Sequence, residues 1–206
     1  MTLGGPSSVA AWHQPVPLQG HGLTLTPLRV EDATDFLAAL GSPETAAEVL
    51  QHVSYSPPTD LAAATELISQ ALATPDRIAY AQRLTATGEF IGTTSFYDMD
   101  ESLRALGIGY TWVARPYWRT FVNTASKLLM MAHAFDDLGV ERLVWHTDIR
   151  NTRSQAAIAR LGATREGVLR HHRIRRDGSW RDTVQYSMLR AEWPAARQHL
   201  EAVLTR

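Results

Sequence analysis

Two periodicities alternate along this chain, and the switches between them outline its elements. Residues 23–28 read Leu-Thr-Leu-Thr-Pro-Leu, apolar at every second position, which predicts a half-buried strand; Pro27 puts its end at a sheet edge. From Val30 the spacing changes. Ala33, Phe36, Leu37 and Leu40 fall on one helical face, and Gly41 closes that helix. Residues 42–59 hold three prolines and predict an irregular stretch with a helical turn at 45–50. Asp60 is placed to cap a helix running to Ala73, in which Leu61, Ala64, Leu67, Ile68 and Leu72 recur at core spacing. Strands over 78–84 and 90–96 follow around a turn with Gly88, and a polar, acidic loop spans 98–102.

The second half repeats the strand–helix alternation. Residues 106–113 predict a strand, 115–122 a loop, and Asn123 or Thr124 the start of a helix reaching about Leu138, capped by Gly139. A short strand over 142–147 comes next, then a helix over 152–161 that Asn151 caps and Gly162 ends. A helix between two strands predicts a parallel, right-handed crossover. Residues 164–175 and 181–189 form a hairpin around Asp177-Gly178, and 191–204 a closing helix. The fold class is therefore α/β in the α+β sense, a mixed sheet of about seven strands with four or five helices. Residues 22–206 form one domain, and residues 1–21, rich in Gly, Pro and Ser, read as a flexible lead-in.

Composition narrows the chemistry. At 206 residues, 45% hydrophobic and 20% charged, the chain suits one globular domain. It has no cysteine, which excludes disulfides, thiolate metal sites and a Cys nucleophile and fits a cytoplasmic setting. The N-terminal residues lack a basic region followed by an apolar core, so no signal peptide is expected, and no apolar run is long enough for a membrane span. A net charge of −1 conceals an asymmetry: residues 1–100 carry 3 Arg against 11 acidic residues, residues 101–206 carry 17 basic against 10 acidic. An acidic first half would favour approach of a cationic ligand, and a basic second half an anionic one; charges scattered over solvated faces fit the counts equally well.

Four local patterns carry candidate chemistry. The loop Arg119-Thr-Phe-Val-Asn-Thr124 enters a helix N-terminus, where free N–H groups and an arginine suit a phosphate, although it contains no glycine; an ordinary strand-to-helix connection is the competing reading. Gly107 and Gly109 lie two apart on one face of a strand, marking close approach of a ligand or backbone, or packing against an aromatic ring. Asn151 and Ser154, at i and i+3, share one side of a helix start; capping explains Asn151 and leaves the Ser154 hydroxyl available. The segment 165–181 holds six Arg plus His171 and His172, but period-2 alternation divides them between faces, so a solvated hairpin or anion-facing rim is preferred and nucleic-acid binding is not expected. No His or carboxylate cluster has metal-ligand spacing.

Taken together, Gly107-Ile-Gly-Tyr-Thr-Trp, Tyr117-Trp, Asn123-Thr-x-x-Lys-Leu-Leu, Ala134-Phe, Leu138-Gly, Asn151-x-x-Ser, Ala157-Ile-x-x-Leu-Gly-Ala, Glu166-Gly-x-Leu-Arg and Gly178-x-x-Arg-Asp-Thr-Val-x-Tyr-Ser resemble the GNAT superfamily of N-acetyltransferases. The branch most similar contains the ribosomal-protein N-terminal acetyltransferases. The resemblance implies splayed central parallel strands and acetyl-CoA as cosubstrate. It implies the pyrophosphate on Arg119, Thr120, Phe121, Val122, Asn123 and Thr124, the pantetheine arm beside Trp112 and Val113, and a cofactor contact from Asn151. It implies Ser154 as the group that protonates the departing thiolate, and a primary amine, on a peptide N-terminus or a small molecule, as acceptor. Monomer and homodimer are both expected states. Two departures stand out: Arg119 and Phe121 replace the glycines usual in the loop, and Gly107 and Arg173 occupy the places where relatives carry a glutamate base. The base is thus open between His171, His172 and an acid of 98–101. A non-catalytic CoA-binding or regulatory module is the alternative that these departures allow.

Overall fold

The computed structural model describes residues 12–205. Eight strands form one sheet: β1 (Leu18–Gly20), β2 (Leu23–Pro27), β3 (Ile78–Leu84), β4 (Phe90–Asp100), β5 (Ala105–Val113), β6 (Arg142–Asp148), β7 (Thr164–Ile174) and β8 (Trp180–Leu189). Their spatial order is β1-β2-β3-β4-β5-β6-β8-β7, and among the described residues only β5 and β6 pair in parallel. Among the described residues there are six α-helices: α1 (Ala33–Leu40), α2 (Pro43–Val49), α3 (Leu61–Ala73), α4 (Val122–Ala132), α5 (Thr152–Arg160) and α6 (Trp193–Leu204).

Each face of the sheet has its own core, as alternation along the strands requires. Leu23, Leu25, Tyr80, Phe96, Ile108 and Trp145 meet α4, α5 and α6 on one side. Ala79, Ala81, Phe90 and Trp112 meet α1, α2 and α3 on the other, where Phe36 stands edge-on to Trp112 at 4.9 Å between centroids.

Several elements depart from the expected boundaries for identifiable reasons. Residues 12–21, expected within a flexible lead-in, contribute a buried Trp12 and the edge strand β1, which pairs with β2 from Leu18 to Gly20; the remainder of that expectation, residues 1–11, lies outside the described residues. Where a turn was expected at 45–50, a full helix starts at Pro43, capped by Ser42, whose hydroxyl accepts from the Thr45 N–H at 3.3 Å. The acidic stretch at 98–102 is mostly strand: β4 continues to Asp100, with a register shift between Tyr97 and Asp100. The central helix finishes in a wider π turn, His133–Asp137. Asp60 caps α3 as expected, its carboxylate accepting from the Ala63 N–H at 2.8 Å.

Candidate active site

The parallel pair is short. β5 and β6 are in register only at Ala105 with Arg142, Leu106 with Leu143 and Gly107 with Val144; beyond that they part. The strands splay because β5 bends at a bulge. Thr93 pairs with Trp112 and Ser95 with Gly109, so Tyr110 and Thr111 together oppose Thr94, and Tyr110 takes φ +50°. Past the bulge the Ala114 N–H donates to Ile91 O at 2.7 Å on the β4 side. By alternation the N–H groups of Thr111 and Val113 face the opening toward β6. Trp112 points the other way, its indole buried against Phe36 and its carbonyl accepting from Gln82 Nε2 at 3.1 Å.

The loop into α4 abuts this opening. Trp118 Nε1 donates to Val113 O at 2.7 Å, and the guanidinium groups of Arg153 and Arg115 lie 3.7 and 4.6 Å from the centroid of the Trp118 ring. Among the described residues the N–H groups of Arg119, Thr120, Phe121, Asn123 and Thr124 have no partner, while Val122 N–H makes only a long bond to Thr120 Oγ1 at 3.4 Å. The missing glycine has a conformational explanation: Arg119 itself adopts φ +61°, the left-handed geometry a glycine would supply. Five free amides, a helix N-terminus and an arginine therefore share one loop, groups of the kind that suit an anion. Arg153, beside it on α5, has no ion-pair partner among the described residues.

Asn151 and Ser154 open α5 just beyond the end of β6. Asn151 Oδ1 accepts from the Ser154 N–H at 3.0 Å, which accounts for Asn151 as a cap; the Ser154 hydroxyl makes no hydrogen bond among the described residues. Gly107 and Gly109 receive a ring. A Cβ on Gly107 would lie 2.4 Å from the Tyr97 ring and one on Gly109 2.7 Å from it, so Tyr97 lies flat on the β5 backbone. Packing against an aromatic neighbour is thus the reason for this glycine pair.

Sequence reasoning missed what Tyr97 begins. Its hydroxyl meets His146 Nδ1 at 2.9 Å, and His146 Nε2 meets Gln185 Oε1 at 3.1 Å. Gln185 Nε2 donates to Glu166 Oε2 at 2.7 Å, and Arg142 grips both Glu166 oxygens at 2.7 and 2.6 Å. The polarity of this chain follows from its end. Arg142 holds the Glu166 carboxyl down to about 2, so the carboxylate takes the Gln185 N–H. The Gln185 carbonyl must then accept from His146 Nε2–H, and Nδ1 meets the Tyr97 hydroxyl. Burial raises the pKa of the Tyr97 phenol, keeping it protonated.

The two hairpin histidines separate. His171, at φ +51° in a bulge, stacks on Trp180 at 5.1 Å between centroids. His172 faces the network, 5.7 Å from the His146 ring, and burial together with Arg173 lowers its pKa. The hairpin is anchored by Asp148, a buried carboxylate on β6 that accepts from Arg175 at 2.6 and 2.8 Å. At its tip Arg176 donates to the carbonyls of Tyr55 and Gln51, tying the hairpin to the segment after α2. Among the described residues no group of three or more His, Asp or Glu is placed to hold a metal, and no helix is long and apolar enough to cross a membrane.

Among the described residues the single parallel pair of the sheet opens beside a loop of free amides at a helix N-terminus. The chain belongs to the GNAT acetyltransferases, the family model described as acetyltransferase (GNAT) domain matching residues 22–164. It is 30% identical over 106 residues to the protein named "Putative ribosomal N-acetyltransferase YdaF" of Bacillus subtilis (strain 168), a match covering 52% of this chain and 57% of that protein. A GCN5-related N-acetyltransferase from Brucella melitensis superposes with a TM-score of 0.88 at 27% identity, over 94% of this chain and 87% of that one. Mycobacterium smegmatis RimJ, solved with CoA-disulfide, shares the fold with a TM-score of 0.76 at 24% identity, over 94% and 96% of the two chains.

Proposed function

We propose that this protein is an acetyl-CoA-dependent N-acetyltransferase acting on a primary amine, at a peptide N-terminus or on a small molecule, in the cytoplasm. The observation that carries the reading is the junction of the β5–β6 opening with the loop of unpaired amides at 119–124. Arg119, the loop amides and Thr124 would hold the pyrophosphate, Arg153 would add charge beside it, and Asn151 would contact the arm through its free amide nitrogen.

Acetyl-CoA supplies an activated thioester carbonyl. The N–H of Val113, fixed at the bulge, is placed to stabilise charge developing on the carbonyl oxygen. His172, whose lowered pKa leaves it largely neutral at pH 7, takes the proton that the amine loses as its nitrogen bonds to the carbonyl carbon. The C–S bond breaks, and the Ser154 hydroxyl, free of other hydrogen bonds among the described residues, donates a proton to sulfur and regains one from solvent, to which His172 releases the proton it took. His172 takes the place of the glutamate base that Gly107 and Arg173 preclude, with the His146 ring, itself hydrogen-bonded to Tyr97, packed beside it at 5.7 Å.

Thiol release from acetyl-CoA, followed over a panel of amines and peptide N-termini, tests the reading. Turnover with at least one class is expected. Ser154→Ala should lower kcat at least tenfold while acetyl-CoA Kd stays within about twofold. Tight CoA binding with no thiol released over the whole panel would instead indicate a non-catalytic CoA-binding module.

A further inference from the structure

On the same side of the sheet as Tyr97 and His146, a pocket of about 320 Å³ opens between α3, the segment after α2 and the bulge of β5. Its walls are apolar in part (Leu28, Phe36, Leu67), and Tyr110, whose backbone forms the β5 bulge, lines it as well. The lining contains a single formally charged side chain, Arg77, and no Asp or Glu.

Arg77 is placed with care for a residue that has no counter-ion. Its guanidinium lies 3.8 Å from the centroid of the Tyr110 ring, and its Nε donates to Ser95 Oγ at 3.1 Å. The Tyr110 ring is held in turn, edge-on, by Tyr97 at 5.5 Å. The two terminal nitrogens of Arg77 make no hydrogen bond and no ion pair among the described residues. Burial lowers its pKa, opposed only by the neighbouring phenols of Tyr110 and Tyr55 and by no carboxylate, yet a guanidinium stays charged. A half-buried cation of this kind costs free energy unless something anionic meets it. Tyr55 lies across the pocket, its phenol pushed up to about 12 by burial, so it remains a hydroxyl donor. Arg176, at the hairpin tip, holds the Tyr55 backbone in place through its carbonyl at 3.1 Å.

We infer that this pocket reads a carboxylate on the acceptor, so that the amine substrate is one bearing a carboxylate a few bonds from its nitrogen, gripped by the terminal nitrogens of Arg77 and the Tyr55 hydroxyl. A planar fork facing outward from an aromatic platform matches a carboxylate bidentately. The acidic excess of residues 1–100 pointed to a cationic acceptor, but at the pocket itself the sign is reversed. This assignment rests on the acetyl-transfer reading only for the direction in which the amine points; the anion preference itself is independent of catalysis. The carboxylate has two chemical sources, the α-carboxylate of a free amino acid or an acidic side chain next to a peptide N-terminus.

Two measurements test it. In the thiol-release assay, free amino acids are compared with their amides, and N-terminal dipeptide amides carrying Asp in second place with those carrying Asn. The wild type should prefer the carboxylate member of one set at least tenfold in kcat/KM, mostly through KM. Arg77→Met should bring the ratio close to one, and Arg77→Lys, retaining charge without the fork, should leave an intermediate ratio. The set showing the preference names the source. In parallel, N-acetylglycine and N-acetylglycinamide are titrated against the wild type and Arg77→Met by ligand-observed NMR, with circular dichroism confirming both are folded. Should no amine support turnover while N-acetylglycine binds selectively and Arg77→Met abolishes that selectivity, the transfer reading fails and the carboxylate pocket stands. A wild type indifferent to the carboxylate in both measurements, or a preference that survives in Arg77→Met, overturns the inference.

Discussion

Lys127, the only lysine in the chain, offers a sharp test of the electrostatics beneath the site. It projects from α4 under the β5 bulge, is 5% exposed, and donates to Thr94 Oγ1 at 2.9 Å and Thr111 Oγ1 at 2.7 Å. Among the described residues no carboxylate pairs with it, and burial lowers its pKa to about 7. Below pH 7 the amine is protonated in folded and unfolded chains alike. Above it only the unfolded chain binds the proton, so the unfolding free energy climbs with pH until the unfolded value near 10.5 is reached. At 1.36 kcal/mol per unit, the full span corresponds to about 5 kcal/mol, and the interval from pH 7 to 9 to about 2–3 kcal/mol. Lys127→Met keeps the bulk, removes the charge, and leaves Thr94 and Thr111 bonded to each other at 2.8 Å. Urea unfolding followed by tryptophan fluorescence at pH 6, 7, 8 and 9 measures both proteins. The variant should be the more stable at pH 6, with its advantage shrinking by about 2–3 kcal/mol between pH 7 and 9. An advantage constant in pH, or one that grows as pH rises, would refute a buried amine titrating near neutrality.

Two further substitutions probe other parts of the site. Gly107→Ala forces a methyl into the Tyr97 ring and should lower stability by about 1–3 kcal/mol in thermal or urea unfolding. Tyr97→Ala in the same chain should remove most of that penalty, so additive losses would show that the ring does not dictate the glycine. His172→Gln should abolish the acidic limb of the kcat/KM–pH profile, the limb below neutrality where protonation silences the base; a profile unchanged from the wild type would remove His172 from that role.

Much of the framework was legible because period and punctuation agree. Asp60, Asn151, Gly162 and the Asp177-Gly178 turn sit where the elements begin and end. β1 escaped because three residues, Leu18–Gly20, leave no period to read, and its evidence is its pairing with β2. The glycine pair at 107 and 109 announced a crowded neighbour, but only the β4–β5 register, which sets Tyr97 opposite Gly107, says which. The Tyr97–His146–Gln185–Glu166 chain was invisible for the same reason, since its members come from β4, β6, β8 and β7 and meet only through strand order. Arg77 was passed over because one basic residue before a strand carries no local signal; its meaning lies in the absence of acid around it.

The opening between β5 and β6 amounts to a sheet with an edge in its interior. An outer edge strand invites any passing chain to pair with it, and proteins guard such edges with charge, proline or irregularity. Here the exposed rungs of β5 are guarded by location instead: β6 stands opposite, joined to β5 at Gly107 and Val144, so a second polypeptide cannot lie alongside with its side chains. In the acetyl-CoA reading proposed above, a thin pantetheine arm of amides and methylenes would fit where a peptide with side chains would not, and that preference would require no dedicated residue; it would follow from where the two strands stop touching.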